Sequence, residues 1–262
     1  MPFPTSTFLT VLAGTLVAVV LTMVGSFVIG RSTGKYSVVD VIWGPGFVVI
    51  SVVALLLSTG HGDPPFRWLL LGMVSLWGLR LGGYLLLRNH GLPEDPRYTE
   101  MLAGADGPAV IAAKVQLPQG LAMWFVSLPV LVGMVLPGPA GPVVWVGLAV
   151  YLIGLFFEVV GDAQLAAFKR SAPPPGTVLD RGLWRYTRHP NYFGDACVWT
   201  GIFLTVTWSW IGWLTVVSPV LMTWLLTAKT GKAMTEKRLT SSRPGYADYV
   251  ARTSGFFPLP PK

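Results

Sequence analysis

The sequence is poor in charge. Only 12% of its 262 residues are Asp, Glu, Lys or Arg, against roughly 25% in a typical soluble domain. A globular chain of that length would lack the polar groups to cover its surface, so the solvent for most of it is lipid. Cysteine is almost missing: Cys197 stands alone, so no intrachain disulfide forms. The three histidines, His61, His90 and His189, lie far apart and no Cys/His cluster has metal-ligand spacing. No metal site is expected. There is no G-x-G-x-x-G fingerprint, no G-x-x-x-x-G-K phosphate loop, no internal repeat and no low-complexity tract. Nor does a basic residue precede the first apolar run, which at 8–30 is too long for a signal-peptide core.

Apolar residues make up 52% of the chain. About 20 of them in a row cross the hydrocarbon as a helix. Runs of that kind fall at about 8–30, 37–59, 66–88, 118–136, 142–167, 194–212 and 213–230, with Trp208, Trp210 and Trp213 marking an interfacial turn between the last two. The expectation is one all-α integral membrane domain over 1–262, with about seven transmembrane helices. Its cytosolic loops would be 89–117 and 169–193, followed by a polar tail from about 231.

The net charge of +7 is distributed along this pattern. With the N-terminus outside and seven crossings, 17 of the 19 basic residues fall on the inner side, Arg67 alone falls outside and Arg80 lies within a helix. The positive-inside rule then puts the C-terminus in the cytosol. No basic stripe or nucleic-acid module appears, so nucleic acid is not an expected partner.

Ionisable groups inside membrane spans cost roughly 2.5–3.5 kcal/mol each on insertion scales and mark function by default. Asp40, Arg80, Glu158 and Asp162 are such groups. Glu158 and Asp162 are four apart, on one helical face. Together with Asp195 they fall toward the cytosolic ends of their helices and are expected around one cytosol-facing pocket. The plainer alternative is that Arg80 pairs with Asp40 or Glu158 merely to hold helices together.

The densest polar stretch is RGLWRYTRHPNYFGD at 181–195, which puts Arg181, Arg185, Arg188 and His189 into nine residues. Guanidiniums at that density suit a phosphate-bearing ligand, since Arg pairs oxygens bidentately; an anionic-lipid patch is the plainer alternative.

RYTRHPNYFGD at 185–195 resembles the C-terminal motif of the steroid 5-alpha-reductase superfamily, and the whole chain is similar to its bacterial branch of reductase-like membrane proteins. EDPRY at 94–98, Gln119 with SLP at 127–129, EKRL at 236–239 and PGYADY at 244–249 fit that branch as well. The resemblance is strong in the C-terminal half and looser before residue 75. It implies seven transmembrane helices, NADPH bound in a cytosol-facing cavity, and hydride passed to a conjugated carbon–carbon double bond. It further implies a bacterial inner-membrane location.

Residue by residue, the resemblance puts Asp162 and Lys169 at the cofactor end of the fifth helix and Glu158 where a nicotinamide-side asparagine is expected. Asn191 matches a cofactor-contacting asparagine and Asp195 a cofactor-site glutamate. Arg185, Arg188, His189 and Tyr192 share that motif, and Arg238, Tyr246, Tyr249 and Arg252 come from a tail that closes over the cofactor. The substrate half departs from the pattern: Trp77 falls near the place of the substrate-polarising tyrosine, and Asp40 with Trp43 replaces the usual glutamate motif. Asp40, Arg80 and Tyr84 are the remaining catalytic candidates. The substrate would be a steroid-like molecule or a lipid or fatty-acyl chain.

Two other readings share the motif. RHPNYFG at 188–194 also fits membrane methyltransferases, including those acting on isoprenylcysteine, which bind S-adenosylmethionine. A non-enzymatic lipid-binding protein would use the same charges for headgroups. GLPEDPRY at 91–98 reads either as a lid or as a solvated turn. The tail either docks on the bundle or lies on the lipid surface, and SAPPPG at 171–176 is a stiff loop. The oligomeric state is not legible.

Overall fold

The computed structural model describes residues 2–174, 176–229, 236 and 245–262, and among these every regular element is helical. The helices are α1 (Thr5–Thr33), α2 (Val38–Leu57), α3 (Pro64–Asn89), α4 (Pro96–Leu102), α5 (Pro108–Lys114), α6 (Gln116–Val126) and α7 (Leu128–Gly133). They continue with α8 (Val143–Arg170), α9 (Pro190–Leu204), α10 (Trp210–Trp213), α11 (Val217–Trp224) and α12 (Tyr246–Arg252).

Six stretches are long and apolar enough to cross a membrane: α1, α2, α3, 108–126, α8 and 210–228. Large apolar side chains such as Leu21, Leu57 and Leu87 lie exposed along these helices, as lipid-facing residues do. The chain is an integral membrane protein. The expected sixth span, 194–212, does not reach the required length. α9 holds 15 residues and ends at Leu204, where Thr205–Ser209 form a turn inside the run expected to be continuous to 212. The expected fourth span at 118–136 also differs. Its helix begins at Pro108 and breaks around Val115 (φ −110°, ψ −64°) and again at Ser127, just ahead of Pro129. The polar stretch 89–117 is not a plain loop but carries α4 and α5. Both start on proline at the first helical turn, where a missing N–H costs nothing.

The chain divides into two compact units, residues 1–142 with 206–218, and residues 143–205 with 219–262. In the first, α1 runs against α2 and α2 against α3. Glycines let α2 and α3 touch through their backbones. A Cβ on Gly44 would meet the carbonyl of Gly78, and one on Gly82 would sit 2.6 Å from Pro45 Cδ. Small residues at such seams are how membrane helices gain dispersion contact without a hydrophobic drive. Beside the seam, Trp77 is buried edge-on against Phe47, ring centroids 5.4 Å apart.

Arg67, the one basic residue expected on the far side, is buried. Its guanidinium donates to the carbonyls of Leu55 and His61 and to Ser58 Oγ. These acceptors gather at the C-terminal end of α2, where the helix dipole favours a cation. Asp63 caps the start of α3 by accepting from Phe66 N, and also accepts from Ala140 N at 2.9 Å.

The second unit is built on the antiparallel pair α8 and α9. Gly147, Gly154 and Gly161 recur every seven residues on α8 and face Gly201, Gly194 and Pro190 on α9. A Cβ at Gly154 would lie 2.5 Å from Gly194 O, and one at Gly201 2.6 Å from Gly147 O. The two backbones therefore run in van der Waals contact for four turns.

Candidate functional site

The close approach of α8 and α9 brings the acidic face of one helix to the start of the other. Pro190 occupies the first position of α9, and the backbone of Gly194 passes against Glu158. Glu158 and Asp162 are both buried, at 2% and 5% exposure. Asn191 Nδ2 donates to Asp162 Oδ1 at 3.3 Å, while Asn191 Oδ1 accepts from Tyr192 N. Asp195 lies half-buried one turn further along α9. The structure thus assembles Glu158, Asp162, Asn191, Tyr192 and Asp195 at one end of this unit.

A cationic rim surrounds that end. Lys169 and Arg170 are exposed in the last turn of α8, and Arg181 and Arg185 are exposed on the segment that follows. That segment docks by Trp184 Nε1 donating to Gly161 O at 3.1 Å and Leu183 N to Gln164 Oε1 at 2.9 Å. An open groove of about 290 Å³ between them is lined by Gln164, Ala167, Phe168, Leu179, Arg181 and Gly182.

Arg188 and His189 hold the tail. Arg188 Nε donates to Glu236 at 2.8 Å, and its Nη1 donates to the carbonyls of Val250 and Thr253. His189 Nε2 lies 3.1 Å from the same carboxylate, its ring stacked on Tyr192 at 5.2 Å. Burial opposes charge on Glu236, but the hydrogen bonds and charges of His189 and Arg188 outweigh it and hold its carboxyl down at about 2. Around this node Arg188 N donates to Ser254 O, Thr187 Oγ1 to Phe256 O, Leu259 N to Tyr186 O, and Tyr249 Oη to Trp184 O. Burial raises the Tyr249 hydroxyl above its ordinary range. Phe193 packs against Phe157, Phe256 and Phe257. Tyr246 and Tyr249 are both buried, and Arg252 forms an exposed ion pair with Asp180 at 2.6 Å. Within its unit the tail docks. Arg238 lies outside the described residues.

The substrate candidates belong to the first unit. Arg80 and Tyr84 are four apart on α3 and half-buried, with the Arg88 guanidinium 5.6 Å from the Tyr84 ring centroid. Asp40 sits in the first turn of α2. It accepts from Tyr98 Oη at 2.6 Å and pairs with Arg97 at 3.0 Å. This follows from EDPRY, which is neither lid nor solvated turn but a clip. Glu94 accepts the backbone N–H groups of Tyr36 and Ser37, just ahead of α2, and that of its neighbour Asp95. Asp95 caps α4, Arg97 bridges Asp95 and Asp40, and Tyr98 is buried against Asp40. Burial and the Asp40 carboxylate push the Tyr98 hydroxyl well above its ordinary range. For Arg97, burial is outweighed by the two aspartates, which raise it further.

Sequence reasoning missed Tyr98, Glu94 and Glu236 as partners. Each acid stood in a quoted motif, but its partner lies 47–58 residues away.

A family model described as "Protein of unknown function (DUF1295)" matches residues 26–253. The chain belongs to this family. Two curated relatives carry the steroid 5-alpha-reductase name. The chain is similar to the steroid 5-alpha-reductase DET2 of Arabidopsis thaliana, 35% identical over 68 residues, covering 26% of this chain and 25% of the relative. DET2 of Gossypium hirsutum is 32% identical over 66 residues, 25% of each chain. The chain thus spans about a quarter of the length of these curated relatives. No solved structure matches. This DUF1295 chain is therefore a membrane protein related to the steroid 5-alpha-reductases, as the RHPNYFGD segment implied.

Proposed function

We propose that this DUF1295 protein is a membrane-embedded reductase that uses NADPH to saturate a carbon–carbon double bond of a hydrophobic substrate, steroid-like or fatty-acyl. One observation carries the reading: the motif segment brings Asn191 onto Asp162 at 3.3 Å, beside the buried Glu158. That pairing gives a carboxamide and ribose hydroxyls both donors and acceptors. The rim fits the anionic end of a dinucleotide, since Arg181 and Arg185 expose guanidiniums with no carboxylate partner among the described residues. Lys169 adds a third cation. Asp195 and Tyr192 complete the binding set. Arg188, His189, Tyr246, Tyr249 and Arg252 act one step back, by holding the tail against the motif.

Hydride chemistry is what NADPH supplies when bound. The chain's own part is to orient that group, exclude water and polarise the acceptor. Asp40 in the first turn of α2 and Arg80 and Tyr84 on α3 are the candidates for polarising the substrate. The cationic ends of α1, α3 and α8 face the cytosol in this reading, which counts the 15-residue α9, antiparallel to α8, as a short seventh crossing; the N-terminus is then outside, the C-terminus inside and a bacterial inner membrane the site.

The test is a side-by-side titration of detergent-purified protein with NADPH, NADH and S-adenosylmethionine. NADPH binds selectively, and Asn191→Ala weakens it about 10–100-fold, the worth of a buried hydrogen bond to a charged group. Selective S-adenosylmethionine binding would move the protein to the methyltransferases. No nucleotide binding would leave a lipid-binding protein.

A further inference from the structure

Six buried hydroxyls in the first unit share one habit, donation to a backbone carbonyl at 2.6–2.8 Å. Thr15, Ser51, Ser58 and Ser127 reach the carbonyl four residues back, and Thr215 and Ser218 reach Gly212 and Val126. Ser26 on α1 breaks it. It is fully buried, and its Oγ has no partner among the described residues. Gln116, the first residue of α6, is 5% exposed, and neither its Nε2 nor its Oε1 has one.

These two orphans sit at one level. α1 and α6 run antiparallel: Trp124 Nε1 reaches Thr15 Oγ1, and a Cβ on Gly120 would meet Val19 and Met23. One turn further, the register brings Gln116 level with Met23–Phe27, which includes Ser26. The flanking residues are apolar: Met23, one turn before Ser26, and Val115, next to Gln116, are both buried. An amide left without hydrogen bonds in such a place costs on the order of several kcal/mol. A neutral oxygen placed there would accept from Gln116 Nε2 and Ser26 Oγ, and a hydroxyl would also donate to Gln116 Oε1.

We propose that Gln116 and Ser26 form a recognition subsite for the neutral carbonyl or hydroxyl of an apolar ligand. α6 contains no ionisable residue, Arg31 on α1 is exposed, and Lys114 just ahead of α6 is exposed with its Nζ on Met101 O, so a carboxylate or phosphate would be buried without a cation from these elements. The proposal rests on the hydrophobic-substrate reading and names the substrate's polar handle. A membrane lipid's ester carbonyl offers the same chemistry.

The experiment titrates detergent-purified full-length protein with a sixteen-carbon enone and the sixteen-carbon alkene lacking the carbonyl, with and without added phosphatidylcholine. Wild type prefers the enone about tenfold or more. Gln116→Leu abolishes the preference without lowering the thermal midpoint, and Ser26→Ala reduces it. Loss of the preference on adding phosphatidylcholine identifies lipid as the occupant of the same subsite; persistence identifies the substrate. An equal affinity of wild type for both probes overturns the proposal. So does a preference that survives Gln116→Leu, whether or not that variant is less stable. Should Gln116→Leu not fold, Ser26→Ala decides, an unchanged preference being fatal. NADPH titration of the same samples reports on the reductase reading separately, so either idea can fail alone.

Discussion

Gly154→Ala and Gly201→Ala each add one methyl group to the α8/α9 seam. At Gly154 the new Cβ would lie 2.5 Å from Gly194 O and 2.6 Å from Val198 N; at Gly201, 2.5 Å from Tyr151 N and 2.6 Å from Gly147 O. All four neighbours are backbone atoms, so no side chain can swing aside. Ordinary van der Waals contact begins near 3.4 Å, leaving a deficit of roughly 0.8 Å that only a separation of the helices can relieve. Overpacking of this kind costs about 1–3 kcal/mol. For a chain of this size the thermal midpoint then falls by about 2–12 °C. Gly25→Ala on α1 is the control, because its Cβ meets nothing within 4 Å. The assay is thermal unfolding in one detergent at one scan rate, since membrane proteins often unfold irreversibly. The separation also pulls Asn191 from Asp162, so under the proposed function Gly154→Ala weakens NADPH binding as well. If both seam variants melt with wild type and Gly25→Ala, the helices are not in backbone contact and the site built on that contact is misplaced.

Glu236→Gln removes the anion shared by Arg188 and His189 and loosens the tail, read as faster proteolysis at 245–262 with the helical bundle intact. Because the Glu236 carboxyl is held at about 2, below its ordinary 4.5, its contribution is complete above pH 4.5 and is lost as pH falls toward 2. Tail protection in wild type should follow that window and in Glu236→Gln should not. Tyr98→Phe deletes a 2.6 Å hydrogen bond to Asp40 and costs about 1.5–3 kcal/mol of stability; an unchanged midpoint would mean that the clip does not hold α2. Glu94→Ala leaves the N–H groups of Tyr36 and Ser37, just ahead of α2, without their carboxylate and costs about 0.5–2 kcal/mol, measured as faster hydrogen exchange at those two residues.

The long apolar helices were legible because hydropathy over 20 residues reports length and burial together. α1, α2, α3 and α8 fall within three residues of their expected bounds. What failed was finer than that window. Helices of seven residues, such as α4 and α5, carry too few side chains to show a period, although Asp95-Pro96 is a legible start signal. The turn at 205–209 is made of Thr, Val, Trp and Ser, residues that also pass for membrane-spanning, so it hid inside a continuous run. The acidic pair and Asn191 were legible from spacing and motif order. The roles of Arg188 and Tyr98 were not, because their partners are set by the tertiary fold and not by neighbours in the chain.

The clasp on Arg188 has a consequence for how the protein is made. The groups that receive its side chain come from residues 236, 250 and 253, and Tyr186 is met by Leu259. The α8/α9 hairpin is synthesised well before any of them. During that interval a guanidinium destined for burial stays hydrated, and the hairpin waits half-finished at the membrane surface. Closure of the clasp therefore waits on residues 236, 250, 253 and 259, all made after the hairpin they fasten.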